Sequence, residues 1–275
     1  MSQERIAKYL SAAGVCSRRE AERWIEEGRV FVNNEQLTTP AFLVGDDDLI
    51  VVDGQLVEKP KRTRLFVYHK PTGVIVTRSD PNGRKTLDKA LPPQLPRVIP
   101  VGRLDINSEG LLLLTTNGEL AQWMMRPQGA KWERHYKVRV YGELAEWQLK
   151  KIRTGMDVEG IRYAGAEIVK TGGSGRNVWY NVMLTEGKNR EIRKLFGAFN
   201  IMVSRLLRVQ YGPYTLGTLP TGAVSEVKAF EVKKLLEEME ADMARKPKKG
   251  KDGHKDTSET SQPLRKPRTV TRKAE

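Results

Sequence analysis

Gly102-Arg103-Leu104-Asp105-Ile106-Asn107-Ser108-Glu109-Gly110-Leu111-Leu112-Leu113-Leu114-Thr115 is the stretch on which the reading of this chain turns. Leu111 to Thr115 is an apolar run bounded by Gly110 and Asn117-Gly118, the pattern of a buried strand. The loop before it carries a carboxylate, Asp105, between Leu104 and Ile106, and glycines on both sides allow tight turns. An acid so placed is either a turn residue capping its own loop or a functional group. Spacing alone leaves both open.

Outward from this loop, residues 65–237 alternate strands and helices. Leu65 to Tyr68 and Val74 to Thr77 flank a Lys70-Pro71-Thr72-Gly73 turn, and His135 to Tyr141 and Trp179 to Leu184 alternate with the period of strands. Asn117 is placed to cap a helix through Met125 that Pro127 ends. A helix is expected over 188–199, a strand over Val224 to Val232, and a last helix from Lys233 to about Met243. Strands outnumber helices and hairpin turns are frequent, which predicts an α+β fold with a mixed, largely antiparallel sheet. Alternation turns Tyr136 inward with Val138 and Val140 and leaves Lys137 and Arg139 on the other, basic face. On the expected helix, Ile192, Leu195, Phe196 and Phe199 form the apolar side, Arg190 and Lys194 lie roughly opposite, and Arg193 sits on the flank, about 60° from Phe196. A flank guanidinium reaches a partly buried acid. An Arg beside a carboxylate lowers its pKa by roughly 1–3 units and keeps it ionised for nucleophilic work.

Residues 1–59 read as a separable module. Ile6, Leu10 and Ala13 recur at helical spacing before Gly14. Ser17-Arg18-Arg19-Glu20 is a capping box that opens a second helix with Ala21, Trp24 and Ile25 on its apolar face and Arg19 and Arg23 opposite. Short strands follow, with turns at Asn33-Asn34 and Asp53-Gly54. Lys59-Pro60-Lys61-Arg62 marks a linker over 60–64, and the stretch 238–275 reads as the end of the last helix and a disordered basic tail. The 275 residues hold 48 Lys and Arg against 34 Asp and Glu, a net charge of +14. Residues 244–275 carry 11 basic and 4 acidic side chains, whereas residues 1–64 carry 10 and 11. Such a balance points to nucleic acid. No run approaches the ~20 apolar residues of a membrane span, the N-terminal residues lack an apolar signal core, and the single cysteine, Cys16, fits a reducing cytoplasm. The three histidines stand far apart without ligand spacing, so no metal is expected.

Together these motifs resemble the bacterial ribosomal pseudouridine synthases. Gly102-Arg103-Leu104-Asp105 with Ser108 to Thr115 is similar to their signature, Lys70-Pro71-Thr72-Gly73 to their first motif, and Tyr136-Lys137-Val138 and Asn189-Arg190-Glu191-Ile192-Arg193 to the next two. Cys16-Ser17-Arg18-Arg19-Glu20-Ala21 with Gly28-Arg29-Val30 resembles an S4 RNA-binding domain. The likeness spans about residues 1–235 in the expected order. Trp179-Tyr180-Asn181 through Arg193, then Val203-Ser204-Arg205-Leu206, is most similar to members acting on the large subunit. The resemblance implies a catalytic domain at 65–237 that isomerises one uridine of 23S rRNA near the peptidyl transferase centre. It makes Asp105 the essential carboxylate, Tyr136 the aromatic that stacks on the base, and Arg193 the partner of Asp105. Arg5, Lys8, Arg18, Arg19 and Arg23 of the module, with Lys70, Arg103, Lys137, Lys188, Asn189, Arg190 and Lys194, are the expected RNA contacts. No cofactor is implied, and a monomer is expected. The competing expectations are the same chemistry on another rRNA uridine and a non-catalytic rRNA-binding or assembly factor.

Overall fold

A computed structural model describes residues 3–60, 62–126 and 132–245, so the basic segment beyond 245 and the Pro127 helix stop lie outside the described residues. In the N-terminal part, α1 (Ile6–Ala12) packs on α2 (Arg18–Glu26). The predicted capping box forms: the Ser17 hydroxyl accepts from the Glu20 amide at 3.2 Å, and the Ser17 amide donates to the Glu20 carboxylate at 2.7 Å. Ile6, Leu10, Ala21, Ile25 and Cys16 then bury against a four-stranded sheet. That sheet runs in the order β2 (Glu35–Gln36), β1 (Val30–Val32), β3 (Ile50–Val52), β4 (Gln55–Leu56). Its tight turns place Asn33, Asn34, Asp53 and Gly54 at positive φ, the conformation that two-residue hairpins demand.

The larger part is built on one twisted sheet in the order β8 (Glu167–Gly172), β9 (Val178–Leu184), β7 (Arg134–Tyr141), β10 (Met202–Tyr211), β6 (Glu109–Thr115), β5 (Leu65–Lys70), β11 (Val224–Glu226). The apolar run Leu111 to Leu114 is buried on both faces. Leu112 and Leu114 join Tyr136, Val138, Val140 and the side chains of α5 (Glu146–Thr154) and α6 (Glu191–Gly197). Leu111 and Leu113 pack on the other side against α4 (Gly118–Met125) and α7 (Ala229–Arg245). A run of apolar residues without alternation is what a doubly covered strand requires. Asn117 caps α4 as the sequence suggests, its side-chain oxygen accepting from the Glu119 and Leu120 amides.

Among the described strands of this sheet, β6 and β10 form the one parallel pair, and it is short: Leu207 faces Glu109 and Arg208 faces Gly110. This seam joins the two halves of the sheet. Gly110 sits at φ 104°, and a Cβ there would stand 2.3 Å from the Arg208 carbonyl oxygen. Beyond Gly110 the Arg208 side chain reaches across, its Nε donating to the Leu111 carbonyl at 2.7 Å.

Three elements differ from expectation. Val74 to Thr77 forms no strand, only an isolated bridge between Ile75 and Thr86. Both edges of β5 are already taken by β6 and β11, and the Gly73 amide donates instead to the Ile106 carbonyl at 2.8 Å. The helix expected from 188 begins at Glu191, because Arg190 adopts a left-handed φ of 54°. The stretch 224–232 splits into β11 and the first turn of α7, which starts at Ala229 rather than Lys233. Elements α5 and β8 carry too few apolar residues to register in the sequence pattern.

Two ion pairs span the two parts: Lys8 Nζ lies 2.8 Å from Glu119, and Arg97 lies 3.1 Å from Glu20. Among the described residues no helix is long and apolar enough to cross a membrane. The seam yields a sharp expectation: Gly110→Ala should destabilise the chain by about 3 kcal/mol or more, from backbone overlap plus an unfavourable φ, visible as a lower urea midpoint.

Candidate active site

The Asp105 loop is held by its backbone. Lys70, at the end of β5, is fully buried. Its ammonium donates to three carbonyls: Pro71 at 2.9 Å, Asp105 at 3.1 Å and Ser108 at 2.8 Å. Burial pushes this lysine down to about 8. The Ser108 amide donates back to the Asp105 carbonyl at 3.0 Å and closes the turn. From α6, Arg193 donates to the Asn107 carbonyl at 2.9 Å and to the Val203 carbonyl at 3.0 Å. The loop is thus fastened to β5, β10 and α6 at once.

The carboxylate itself is left open. Asp105 Oδ2 stands 3.8 Å from Arg193 Nε and 3.8 Å from Arg190 Nη1. Burial pulls the Arg193 guanidinium below its usual range, and the Asp105 charge opposes that. Arg193 Nε is buried and finds no hydrogen-bond partner among the described residues. The left-handed Arg190 ends the loop before α6 and turns its side chain toward the same oxygen. Tyr136 is buried on the α5 and α6 side of β7, opposite Arg208 on β10 and Val182 on β9. It makes no hydrogen bond with Asp105 or Arg193 among the described residues, so its place is set by strand register.

The expected RNA contacts separate into groups. Arg5, Arg18, Arg19 and Arg23 are exposed on the N-terminal part, as are Arg103, Lys137, Asn189 and Arg190 on the larger part. Lys8 is engaged with Glu4 and Glu119, Lys188 with Glu186 and the Arg162 carbonyl, and Lys194 with Glu159. Lys70 is corrected outright: an ammonium sealed from solvent by three carbonyls braces the loop and faces no phosphate.

Two further groups escaped the sequence reading. Arg134 is buried and donates to the Trp132 and Thr185 carbonyls and to the Tyr211 hydroxyl, which ties down the segment leading into α6. Its strand parity with Tyr136 was the available signal. Glu191 is also buried, its Oε2 accepting from the Lys188 amide at 3.1 Å. Burial, and next the neighbouring Glu186, push its carboxyl up to about 7.

A carboxylate loop braced through its backbone and faced by two guanidiniums, on a mixed sheet beside a small module of two helices and a four-stranded sheet, fits an RNA-modifying enzyme, and comparison with known proteins gives the family. Residues 64–198 match the family model described as RNA pseudouridylate synthase, and residues 4–50 match the S4 domain. The chain is 43% identical over 224 residues to an uncharacterized RNA pseudouridine synthase of Rickettsia felis, covering 82% of this chain and 96% of that one. It is also 43% identical to the ribosomal large subunit pseudouridine synthase B of Salmonella typhi, covering 82% and 79% respectively. A solved pseudouridylate synthase shares the fold at a TM-score of 0.58 and 22% identity, over 84% of this chain and 99% of its own. The chain belongs to the RNA pseudouridine synthases, isomerases of uridine, and carries an N-terminal S4 domain.

Two measurements follow from the bracing groups. Lys70→Met keeps the length but removes the donor from three buried carbonyls, so it should cost roughly 2–3 kcal/mol in urea unfolding. It should also lower turnover beyond the loss of folded protein, since the Asp105 loop loses its anchor. Glu191 keeps its proton to higher pH folded than unfolded, so its contribution favours folding on the acid side. Stability should fall as pH rises from about 4.5 to about 7 and then level off. Glu191→Gln should remove up to about 3 kcal/mol of that fall, read from urea midpoints at the two ends of the window.

Proposed function

We propose that this chain converts one uridine of 23S rRNA, near the peptidyl transferase centre, to pseudouridine. The observation that carries the chemistry is the Asp105 carboxylate, held by its backbone and faced on one oxygen by Arg190 and Arg193. The large-subunit target is supported by the name of relatives such as the one from Salmonella typhi.

The reaction breaks the bond from C1′ to N1, turns the uracil, and joins C5 to C1′. Both routes open on the carboxylate. In one, an Asp105 oxygen attacks C1′, and N1 leaves with the bonding pair. C5 then displaces the carboxylate. In the other, Asp105 takes the C2′ proton and uracil departs with the N1 bonding pair to leave a glycal; C5 then adds to C1′ as Asp105 returns the proton to C2′. In both, the C5 proton is lost and N1 gains one, so the product is an isomer and no redox partner is needed. Arg193 orients Asp105. Tyr136 stacks on the freed base, keeps it over C1′, and takes the C5 proton. Holding the base replaces a bimolecular recombination by an oriented one. Flipping the uridine out of its stack costs a few kcal/mol. Arg103, Lys137, Lys188, Asn189, Arg190 and Lys194, and Arg5, Lys8, Arg18, Arg19 and Arg23 of the S4 domain, offset that cost by gripping the RNA backbone.

The test is a pseudouridine map of 23S and 16S rRNA by carbodiimide-blocked primer extension, from cells with and without the gene. One 23S modification should vanish and return with the wild-type gene. Asp105→Asn should not restore it: turnover should fall at least about a thousandfold, equivalent to about 4 kcal/mol of barrier, with RNA affinity nearly unchanged. A map that does not change, or an active Asp105→Asn, overturns the assignment.

A further inference from the structure

Among the described residues, helices cover both faces of the sheet over its β5–β6 half. Over β7, β8 and β9 no described helix covers the side away from α5 and α6, and Lys137, Tyr141, Val169 and Asn181 are exposed there. Strand parity places Lys137, Arg139 and Tyr141 of β7 on that side, and Trp179 and Asn181 of β9 beside them. Arg139 faces Trp179 across the two strands, and its guanidinium lies 5.9 Å from the indole centroid. Next to this pair, Arg176 from the β8–β9 turn lies 5.6 Å from the ring of Tyr141, which is 47% exposed. A bulge in β10 between the partners of Arg139 and Val140 leaves the Ser204 hydroxyl 3.2 Å from Arg139 Nε, which fixes the guanidinium over the face.

Lys137, Arg139 and Arg176 form no ion pair among the described residues. The acids on this side, Glu133 and Glu167, lie at the far end of the strands, near His135 and Met183. Glu109, across β10, is already paired with Arg205. The surface is therefore cationic at the aromatic end. Two arginine-aromatic pairs in an unneutralised cationic field match a polymer with an anionic backbone and flat, stackable groups. The chain's own basic C-terminal segment carries the wrong charge to cover it.

We propose that this back face binds a single-stranded stretch of RNA outside the target uridine, stacking bases on Trp179 and Tyr141 while Arg139, Arg176 and Lys137 hold phosphates. The proposal rests on RNA as the substrate and adds a second contact, on the side of the sheet opposite α6.

The native thiol permits a local test. Cys16 is buried, and burial pushes it up to about 11, so an alkylating dye will report on Val169→Cys, an exposed position one strand from Asn181. The full chain bearing this label is titrated with an oligouridylate of about twelve nucleotides. A saturable dye response is expected. Arg139→Gln should weaken it about tenfold and lower the salt slope by about one. Trp179→Phe should keep most of the affinity and Trp179→Leu should lose it. If Trp179→Leu does not fold, Arg176→Gln, at an exposed turn, supplies the reading with a weaker response and a smaller salt slope. The proposal fails if anisotropy of a labelled oligouridylate shows binding while the Val169→Cys dye stays silent. It also fails if Arg139→Gln and Arg176→Gln both bind as wild type, or if an acidic peptide of equal charge gives the same response. Pseudouridine formation by the same preparation separates the two readings. A responsive dye on a protein inert toward 23S rRNA sinks the target alone, and a silent dye on an active enzyme sinks the back face alone.

Discussion

Three backbone carbonyls converge on one buried ammonium, and the active site is organised around that convergence. Sealing a lysine from water costs several kcal/mol. Hydrogen bonds to a charged donor return about 1.5–3 kcal/mol each, so three are needed for the arrangement to break even. That requirement places the Pro71, Asp105 and Ser108 carbonyls around a single point at the end of β5. The Asp105 loop is then held through its Asp105, Asn107 and Ser108 carbonyls although it lies outside any strand. The Asp105 side chain, by contrast, receives no hydrogen bond among the described residues. An acid that merely capped its own turn would direct an oxygen at a loop amide. Here the Ser108 amide goes to the Asp105 carbonyl instead, so the loop closes through its backbone.

The guanidiniums add asymmetry. Arg190 and Arg193 both approach Oδ2, each at 3.8 Å. Arg193 also fixes two carbonyls from different segments, so a lysine in its place would keep a charge and lose the fork. Arg190 accepts a left-handed backbone, at a cost of order 1 kcal/mol for a non-glycine residue. The strain sits where the loop must end and α6 must begin. Behind the site, Arg134 and Arg208 are buried on backbone carbonyls and aromatic rings with no ion pair among the described residues. With Lys70 they make the interior behind the Asp105 loop positive, a field that suits a polyanion and a carboxylate that must approach it.

Much of this was legible in the sequence, and the rest failed for physical reasons. Period-2 alternation placed Tyr136 inward, and the Leu111 to Leu114 run marked a strand covered on both sides. The Ser17 capping box and the Asn117 cap formed as read, because caps depend on neighbours within four residues. What escaped depends on distant partners. Lys70 reads as a surface cation beside a Pro-Gly turn, and only the return of the chain 35 residues later makes it an internal brace. Glu191 enters the sequence reading only as part of the motif 189–193, yet burial, and next the neighbouring Glu186, push its carboxyl up to about 7. The missing strand at 74–77 is a question of vacancy: β5 has two edges, and β6 and β11 occupy both.

The same distinction governs how the S4 domain meets the catalytic domain. Among the described residues the ion pairs between them are Lys8 with Glu119 and Arg97 with Glu20, and all four side chains are a quarter to nearly half exposed. Pairs of this kind contribute about 0–1 kcal/mol each and weaken with salt. Such a joint sets a resting pose without enforcing it. The joint is therefore weak beside the many-point fastening that holds the Asp105 loop to β5, β10 and α6.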